Sequence, residues 1–350
     1  MKRLVIDTAN LLFRVASAHG KYHGGGDPKD QAGLAMHMAL MAIRSQYNKH
    51  KPDQVAITFE GANNWRKAHT RGERPEKAVS GRLYKGNRVK DDSMIPFFEL
   101  MDAFRQLAIE HTSLVVLHDP ELEGDDVFAG YIRKYSALGD EVIGLSDDKD
   151  FVTLLQLPNV KLVRPDGTFR GKDKEGEIID PKFFMYEKAF RGDVGDNVLP
   201  AYPKVRVTKL KAAYDALQKG DTYLHSNLMN ATWDFTDPTT GETKTFRVGD
   251  LYEENILLMD LVNGQPPDIQ AKIEQVIDHA VVHHGTFSLF HFTKFCGKYS
   301  LKKIGDEAMN FVPLFSSTGL NSPMKAETKA AAGESDKPKL KVRKRSSLVF

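Results

Sequence analysis

The sequence predicts an α/β protein with a mostly parallel central sheet flanked by helices. Along the first half of the chain, short apolar runs alternate with longer amphipathic stretches, a pattern typical of strands separated by covering helices. Acidic residues follow several of these apolar runs, and ligands of parallel sheets bind beyond the carboxyl ends of the strands. A chain of 350 residues with 41% hydrophobic content can bury such a sheet.

The elements follow in order from the same patterns. Candidate strands are the short apolar runs at residues 4–6, 55–59, 113–117, 142–145 and 160–163. Helices are expected in the first half at residues 31–49, 94–110, 125–135 and 149–155. Later helices are expected at residues 181–191, as two short helices around 199–214, and at 251–261, 268–283 and 289–298. A hairpin is expected where residues 233–236 and 243–248 flank the turn signal at 237–241.

These elements divide the chain into three regions. Residues 1–180 form the predicted α/β core, and within it a basic arch spans about residues 61–92, a segment longer than an ordinary connection. Residues 181–315 form a predicted helical region. From about residue 316 the composition turns to Ser, Ala, Gly, Pro and Lys, so residues 316–350 are predicted to be a disordered basic tail.

Charge is distributed unevenly, although the net charge is only +2. Basic residues dominate from Arg66 to Lys90 and again in the tail, and blocks of this kind indicate a polyanionic partner. The one cysteine, Cys296, excludes an intramolecular disulfide framework and a cysteine-based zinc site. With no signal-peptide pattern at the start and no apolar run of membrane-spanning length, we expect a monomeric cytoplasmic protein without a membrane partner.

Carboxylates are gathered in three short motifs, at residues 123–126, 147–150 and 193–196, and Asp7 closes the first apolar run. Helix capping explains any one of these acids, because Asp is a favoured N-cap, but it does not explain all of them together. Carboxylates in one cleft repel each other unless a cation lies among them. Magnesium prefers oxygen ligands, and two such ions about 4 Å apart can activate water and stabilise a leaving oxygen. The acids therefore predict phosphodiester hydrolysis.

Several motifs, in this order along the chain, resemble the flap endonuclease and 5′ nuclease family, which includes the 5′-exonuclease domains of bacterial DNA polymerases. The motifs are Ile6-Asp7, Tyr84-Lys85-Gly86-Asn87-Arg88, Glu121-Leu122-Glu123-Gly124-Asp125-Asp126, Ser146-Asp147-Asp148-Lys149-Asp150-Phe151 and Gly192-Asp193-Val194-Gly195-Asp196-Asn197. The resemblance is greatest to phage members with ribonuclease H activity, and it spans residues 7 to roughly 282. It implies the PIN-like 5′ nuclease fold, with a helical arch and a DNA-binding helix-three-turn-helix after residue 181.

The resemblance also implies the metal ligands. One Mg²⁺ would be held mainly by Asp7, Glu123, Asp125 and Asp148, and a second by Asp150, Asp193 and Asp196, with Mn²⁺ as a substitute. Asp126 would either ligate an ion directly or lie in the outer shell around it. The second acidic position of the family is Glu60 here, in place of the usual aspartate. Asp147 and Glu121 lie off the matching positions and are interpreted as bystanders.

By the same resemblance, Lys85 and Arg88 steer and polarise the scissile phosphate, and they would share a helix face if the arch is helical. A solvated basic face is the alternative. The residues expected to attract nucleic-acid phosphates within the arch are Arg66, Lys67, Arg71, Arg74 and Arg82. After Asn197 the family's turn glycines are missing, so Lys204, Arg206 and Lys209 are expected to contact duplex phosphates by charge.

The predicted function is a metal-dependent, structure-specific 5′ nuclease. It would act as a 5′-3′ exonuclease on RNA/DNA and DNA/DNA duplexes and as a flap endonuclease, removing RNA primers and 5′ flaps in phage-like DNA replication. Two alternatives stay open, a PIN-like ribonuclease and a non-catalytic structure-specific DNA-binding protein. The apolar end of the tail, Leu348-Val349-Phe350, would either dock on a sliding clamp or single-strand-binding protein, or belong to a cationic tail that contacts DNA.

Overall fold

The centre of the molecule is a parallel sheet whose carboxyl ends all meet at one edge. The computed structural model describes residues 1–14, 27–89, 91–237 and 241–317. The strands, in the spatial order β3-β2-β1-β4-β5, are β1 (Lys2–Asp7), β2 (Gln54–Thr58), β3 (Val115–Leu117), β4 (Glu141–Leu145) and β5 (Val160–Val163). Every neighbouring pair in this sheet is parallel. The predicted fold class is therefore confirmed.

The central strand β1 fixes the register of the acidic edge. Asp7, its last residue, is aligned with Thr58 of β2, and Ile6 is aligned with Leu145 of β4. The strands are nearly continuous apolar runs because both faces of a parallel sheet are covered, and Leu4 and Val5 on opposite faces are both fully buried.

Helices cover both faces of the sheet. In the first half of the chain they are α1 (Pro28–His50), α2 (Trp65–Thr70), α3 (Ile95–His111) and α4 (Gly124–Ala137), and residues 8–14 are also helical. Helix α1 begins where the Asp27 carboxylate accepts a hydrogen bond from the Lys29 amide, directly before a proline at the first helical position. Helices α1 and α3 pack against one face of the sheet, and α4 packs against the other.

The second half of the chain is mostly helical. Its elements are α5 (Pro181–Arg191), α6 (Val207–Gln218), α7 (Tyr223–Met229), the antiparallel hairpin β6 (Thr232–Thr236) and β7 (Thr243–Arg247), α8 (Val248–Met259), α9 (Pro267–Val282), α10 (Leu289–Lys298), α11 (Lys302–Asp306) and α12 (Val312–Phe315). Helix α9 lies directly on α4, since a Cβ atom added at Gly130 would come within 2.2 Å of the Ile273 side chain. The predicted hairpin, α5 and α10 are confirmed.

Some predicted elements are wrong. The helix predicted at 149–155 is a 3₁₀ helix, Asp150–Gln156, and the two short helices expected around 199–214 are turns followed by the single helix α6. Helix α7 was not predicted. In the described ranges 61–89 and 91–94 the helices are α2 and a 3₁₀ turn at Asp92–Met94, and residues 71–89 form turns and irregular backbone. The predicted helical arch is therefore wrong for the described residues. Gly72 and Gly81 adopt positive φ there, which interrupts a helix.

The last described residues complete the hydrophobic core. Phe311, Leu314 and Phe315 are buried, and the Ser113 amide donates a 2.7 Å hydrogen bond to the Phe315 carbonyl. Of the predicted tail at 316–350, residues 318–350 lie outside the described residues. No helix in the described part of the chain is both long enough and apolar enough to span a bilayer.

Candidate metal centre

The carboxyl edge of the sheet gathers four acids from separate elements, here called the first acidic group: Asp7, Glu60, Asp125 and Asp148. Asp7 ends β1, Glu60 and Asp148 follow β2 and β4, and Asp125 lies in the first turn of α4. The Ser146 hydroxyl donates a 2.8 Å hydrogen bond to the Asp7 carboxylate, and the Gly124 amide donates a 3.1 Å hydrogen bond to that of Glu60. The sheet thus fixes the backbone positions of the group.

The charges of the first acidic group oppose one another. Burial, with the nearby charges of Glu60 and Asp148, raises the pKa of Asp7 to about 7. Burial and the charges of Glu60, Asp7 and Asp148 raise the pKa of Asp125 well above its ordinary value. The pKa of Glu60 is also raised, by the enclosure of its carboxyl group and by the Glu123 charge, although part of the side chain is exposed. Among the described residues, no Lys or Arg forms an ion pair with these acids.

The chemistry of this group fits a divalent cation. All of its donors are carboxylate oxygens, the ligands that hard cations prefer, and an added cation would remove their mutual repulsion. Within the described residues, however, no set of three or more His, Cys, Asp or Glu side chains is already arranged to hold a metal ion. Binding an ion would therefore require these side chains to turn toward a common point.

A second acidic group, Asp150, Asp193 and Asp196, lies beside α5 and the turn that follows it. The Lys188 ammonium contacts both Asp150 and Asp193, the latter at 3.1 Å. Burial still raises the pKa of Asp150, although Lys188 opposes that shift. Lys188 was not among the predicted site residues; the only sequence signal for it was a cation in the last turn of the predicted helix 181–191.

Asp196 is held by the basic segment. It accepts 2.8 Å hydrogen bonds from the Tyr84 hydroxyl and from Arg88. Although burial opposes ionisation, Lys85, Tyr84 and Arg88 hold the pKa of Asp196 below its ordinary value. The second acidic group is therefore already paired within the protein, and Lys188 and Arg88 offset two of its three negative charges.

Arg66 lies at the centre of a buried ion network, so the prediction that it contacts nucleic acid is wrong. Its guanidinium donates to both oxygens of Asp126, at 2.7 and 2.9 Å, and to Glu123 at 2.9 Å. The Asp126 carboxylate also accepts hydrogen bonds from Trp65 and Gln265 and is fully buried. The oxygens of Asp126 are thus occupied inside the core, so of its two predicted places the outer shell around an ion fits this arrangement, and its role at the metal stays a prediction.

Glu123 joins this buried network to the metal centre. Its side chain accepts hydrogen bonds from Arg66 and Tyr84 and from the Lys85 ammonium. Only 2% of the residue is exposed. An ion ligated by Glu123 would therefore have to displace the Lys85 ammonium group.

Residues 82–88, here called the basic segment, dock on the turn at 193–197. The Lys85 amide donates to the Asp196 carbonyl at 2.8 Å, and the Asn87 and Asn197 side chains donate to the Val194 and Leu83 carbonyls. Lys85 has a φ of 54°, in the left-handed region. Lys85 and Arg88 therefore share no helix face, yet both side chains reach the acids.

The other predicted nucleic-acid residues differ in accessibility. Arg74 is mostly buried and binds Glu76 and Asp268. It therefore ties the loop after α2 to α9 and is not free to bind a phosphate. Lys67 is half-buried, Arg71 is exposed beside Glu73, and Arg82 lies 5.1 Å from the Phe235 ring. The cations at the start of α6 are exposed to solvent: Lys204, Arg206 and Lys209.

The two acids interpreted as bystanders have structural partners. Glu121 is paired with Lys272, and Asp147 is paired with arginines that follow β1 and β5. Their interpretation as bystanders of the metal centre stays a prediction.

Comparison with known proteins gives a consistent answer. A family model described as "5′-3′ exonuclease, N-terminal resolvase-like domain" matches residues 2–188. A bacteriophage T5 protein co-crystallised with metal ions has a TM-score of 0.51 at 18% identity, over 80% of this chain and 99% of that chain. The bacteriophage T5 flap endonuclease, in a pseudo-enzyme–product complex with DNA and metal ions, has a TM-score of 0.52 at 18% identity, with the same coverage. T5 5′-exonuclease with bound zinc gives 0.52 at 18% identity, over 80% of this chain and 100% of that chain.

The T5 structures share the fold with this chain, and the family model covers more than half of its length. The matched residues begin in β1 and end in α5, so they include the first acidic group, the basic segment and Asp150. The chain therefore belongs to the 5′-3′ exonuclease family defined by this N-terminal, resolvase-like domain.

Proposed function

We propose that this chain is a divalent-metal-dependent, structure-specific 5′ nuclease that acts on DNA/DNA and RNA/DNA duplexes as a 5′-3′ exonuclease and on 5′ flaps as an endonuclease. One observation carries this proposal. The first acidic group has no ion-pair partner among the described residues, and the Lys85 ammonium lies next to it, bound to Glu123. Metal cations would balance the negative charge of the first acidic group. An anionic phosphate bound beside them would balance the positive charge of Lys85.

The first acidic group would hold one ion. Asp150, Asp193 and Asp196 would hold a second ion once Lys188 has moved away. We propose Mg²⁺ as the resident ion, with Mn²⁺ as a substitute, because all of these donors are carboxylate oxygens. Such ions, when bound, supply activation of a water and stabilisation of the leaving oxygen.

The protein's own cations would place the nucleic acid. Lys85 and Arg88 would orient the scissile phosphate and stabilise the negative charge that develops on it. The exposed Lys204, Arg206 and Lys209 would bind the duplex backbone without reading its sequence. The T5 flap endonuclease complex with DNA supports a DNA substrate for this fold.

We propose a role in DNA replication, which the proposed substrate class supports. We propose that the enzyme removes RNA primers and 5′ flaps. The tail residues proposed to contact a sliding clamp or a single-strand-binding protein, 348–350, lie outside the described residues.

A second candidate, a non-catalytic DNA-binding protein, is favoured by one observation. Lys188 and Arg88 already offset two of the three charges of the second acidic group, which lowers the cost of leaving these acids without metal. A PIN-like ribonuclease is the other alternative, and it would prefer free RNA over double-strand junctions.

Asp125→Asn tests the proposal. The matched control is Glu121→Gln, which changes an exposed acid of the same motif that is paired with Lys272. Both variants are assayed with Mg²⁺ on 5′-labelled flap, nicked, gapped and RNA-primed duplexes. We expect Asp125→Asn to lose more activity than the about 10- to 100-fold typical of an outer-shell residue, and Glu121→Gln to retain activity. Binding without turnover by the wild type would support the non-catalytic alternative.

A further inference from the structure

Three arginines converge on Asp147, the acid interpreted as a bystander. The Nε atoms of Arg14, Arg164 and Arg170 lie 3.3, 3.1 and 3.8 Å from its carboxylate oxygens. Arg170 Nε also donates a 2.9 Å hydrogen bond to the Asp147 carbonyl. These residues follow β1 and β5, the strands on either side of β4, so the sheet topology brings them together.

This cluster has more N–H donors than its one paired carboxylate can satisfy. Each guanidinium offers about five N–H donors, whereas one carboxylate accepts about four hydrogen bonds. Asp166 lies within electrostatic reach of Arg14 and Arg164, and Asp148 and Asp150 lie within reach of Arg170, but only Asp147 is within ion-pair distance of all three guanidinium groups. Burial and the neighbouring Arg164 charge lower the pKa of Arg170, which shows that the cations repel each other. An added anion would relieve that repulsion.

The cluster is held in place and is open to solvent. Arg164 and Arg170 flank a tight turn in which the Arg164 amide donates to the Thr168 carbonyl at 2.9 Å. Lys49 of α1 anchors the same turn through a 3.0 Å hydrogen bond to the Gly167 carbonyl. The exposed fractions of the side chains are 45% for Arg14 and 29% for Arg164, so a ligand can reach both.

The cluster adjoins the metal centre. The Asn10 amide donates to the Asp7 carboxylate, and the Asn10 side chain accepts a hydrogen bond from the Asp147 amide at 3.1 Å. Asp147 is also the residue directly before Asp148. Three guanidinium groups that share one paired carboxylate therefore lie beside the first acidic group, which has no paired cation among the described residues.

We propose that Arg14, Arg164 and Arg170 form a phosphate-binding site for the backbone of a nucleic-acid strand that enters the metal centre, with Asp147 holding the three guanidinium groups together. The choice of a nucleic-acid phosphate rests on the proposed function. The site anchors the strand beside the scissile bond, on the side of the sheet edge formed by β4 and β5, and it adds to the contacts proposed for the basic segment and α6.

The test is equilibrium binding of a fluorescent 5′-flap duplex in EDTA, where no cleavage occurs, over a series of salt concentrations. Arg14→Gln combined with Arg164→Gln is expected to weaken binding by about tenfold. The slope of log K against log salt is expected to fall by about 1 to 2, because each lost phosphate contact contributes about 0.9. The control is Lys161→Gln, an exposed cation of β5 whose partner Glu141 begins β4, at the opposite end of the sheet.

Arg14→Gln alone and the charge-conserving Arg164→Lys guard against misfolding. Arg14→Gln alone should show part of the loss of affinity seen in the double variant. Arg164→Lys should keep the salt slope of the wild type. Affinity and slope equal to those of Lys161→Gln would overturn the site. If the double variant loses binding of inorganic phosphate, measured by calorimetry, but keeps its flap affinity, the site serves free phosphate and the nucleic-acid assignment is wrong. Because cleavage by the wild type is measured separately in Mg²⁺, failure of the arginine site is distinguishable from failure of the proposed nuclease activity.

Discussion

At the scale of single residues, Arg66 organises a network that water does not reach. Its guanidinium binds Asp126 in bidentate geometry, contacts Glu123, and donates through Nε to the Leu258 carbonyl at 2.7 Å. Charges removed from water need such complete pairing, because a buried ion left without its partner is strongly destabilising. Arg66 thus connects α2 to the first turn of α4 and to the end of α8.

Replacing Arg66 is expected to destabilise the folded protein. Arg66→Ala leaves the buried Asp126 carboxylate without a cation and removes one of the two cations that contact Glu123, so it should lower the free energy of unfolding by about 3–5 kcal/mol. Arg71→Ala, which removes an exposed ion pair in the same segment, should change it by less than about 0.5 kcal/mol. Urea unfolding in EDTA measures both. Equal stability of the two variants would contradict the structural role of Arg66.

Asp7 should make the metal-free protein less stable as pH rises. The pKa of Asp7 is raised from its ordinary value of 3.8 to about 7, so between these values the folded protein keeps a proton that the unfolded chain has lost. The free energy of unfolding should therefore fall as pH rises from 4 to 7, by about 1.4 kcal/mol for each unit of the pKa difference. Urea unfolding in EDTA measures this fall. Asp7→Asn should reduce the fall without abolishing it, because the raised pKa values of Asp125 and Glu60 act in the same direction, and an unchanged pH profile in that variant would show that Asp7 does not contribute.

At the scale of elements, the basic segment and the turn at 193–197 behave as one docked unit. Backbone and side-chain hydrogen bonds join Lys85 to Asp196, Asn87 to Val194 and Asn197 to Leu83. No helix supports residues 71–89, so these contacts determine where Lys85 and Arg88 point.

Weakening the hydrogen bonds between the basic segment and the turn at 193–197 should expose the basic segment to proteases. Asn87→Ala removes the 2.8 Å hydrogen bond to the Val194 carbonyl. A net contribution of about 0.5–1.5 kcal/mol for one hydrogen bond predicts a roughly 2- to 10-fold faster tryptic cleavage after Arg82, Lys85 and Arg88. Asn310→Ala, at an exposed asparagine far along the chain, is the control. Identical cleavage rates in both variants would show that the segment is held by other contacts.

Sequence patterns were sufficient for the sheet because its strands are continuous apolar runs, and the family motifs located the acids at its edge. They could not distinguish Arg66 from Lys67, which are adjacent cations in the same basic block. What separates them is the direction each side chain takes from α2. The partner of Arg66 Nε, the Leu258 carbonyl, lies 192 residues further along the chain. Contacts of that separation leave no local pattern, and the same reason hid the pairing of Lys188 with Asp150.

At the scale of the whole molecule, the C-terminal helices complete both sides of the sheet. Side chains of α9, including Ile273 and Ile277, fill the core on the α4 side. On the α1 and α3 side the core is filled by Phe292 of α10 and by residues of the last turns, such as Phe311 and Phe315. The sheet that carries the first acidic group therefore depends on residues near the end of the described chain.

Truncation should reveal this dependence. A chain ending at Glu307 lacks the buried Phe311, Leu314 and Phe315, and each large apolar side chain contributes about 1.5–3 kcal/mol when buried. The combined loss is comparable to a typical total stability of about 5–15 kcal/mol, so this truncation should not fold stably. A chain ending at Ser317 keeps these residues and should unfold at the wild-type temperature. Thermal unfolding of the two proteins decides the point, and equal stability of both would contradict the proposed dependence.

The left-handed backbone at Lys85 and Lys204 has an energetic consequence. Their φ values are 54° and 58°, a conformation that costs an L-residue roughly 1–2 kcal/mol and costs glycine little. Glycine at either position would relieve this backbone strain, but it would also remove an ammonium group from the acidic edge or from the start of α6. At these two turns the chain therefore gives up some folding stability for the placement of a positive charge.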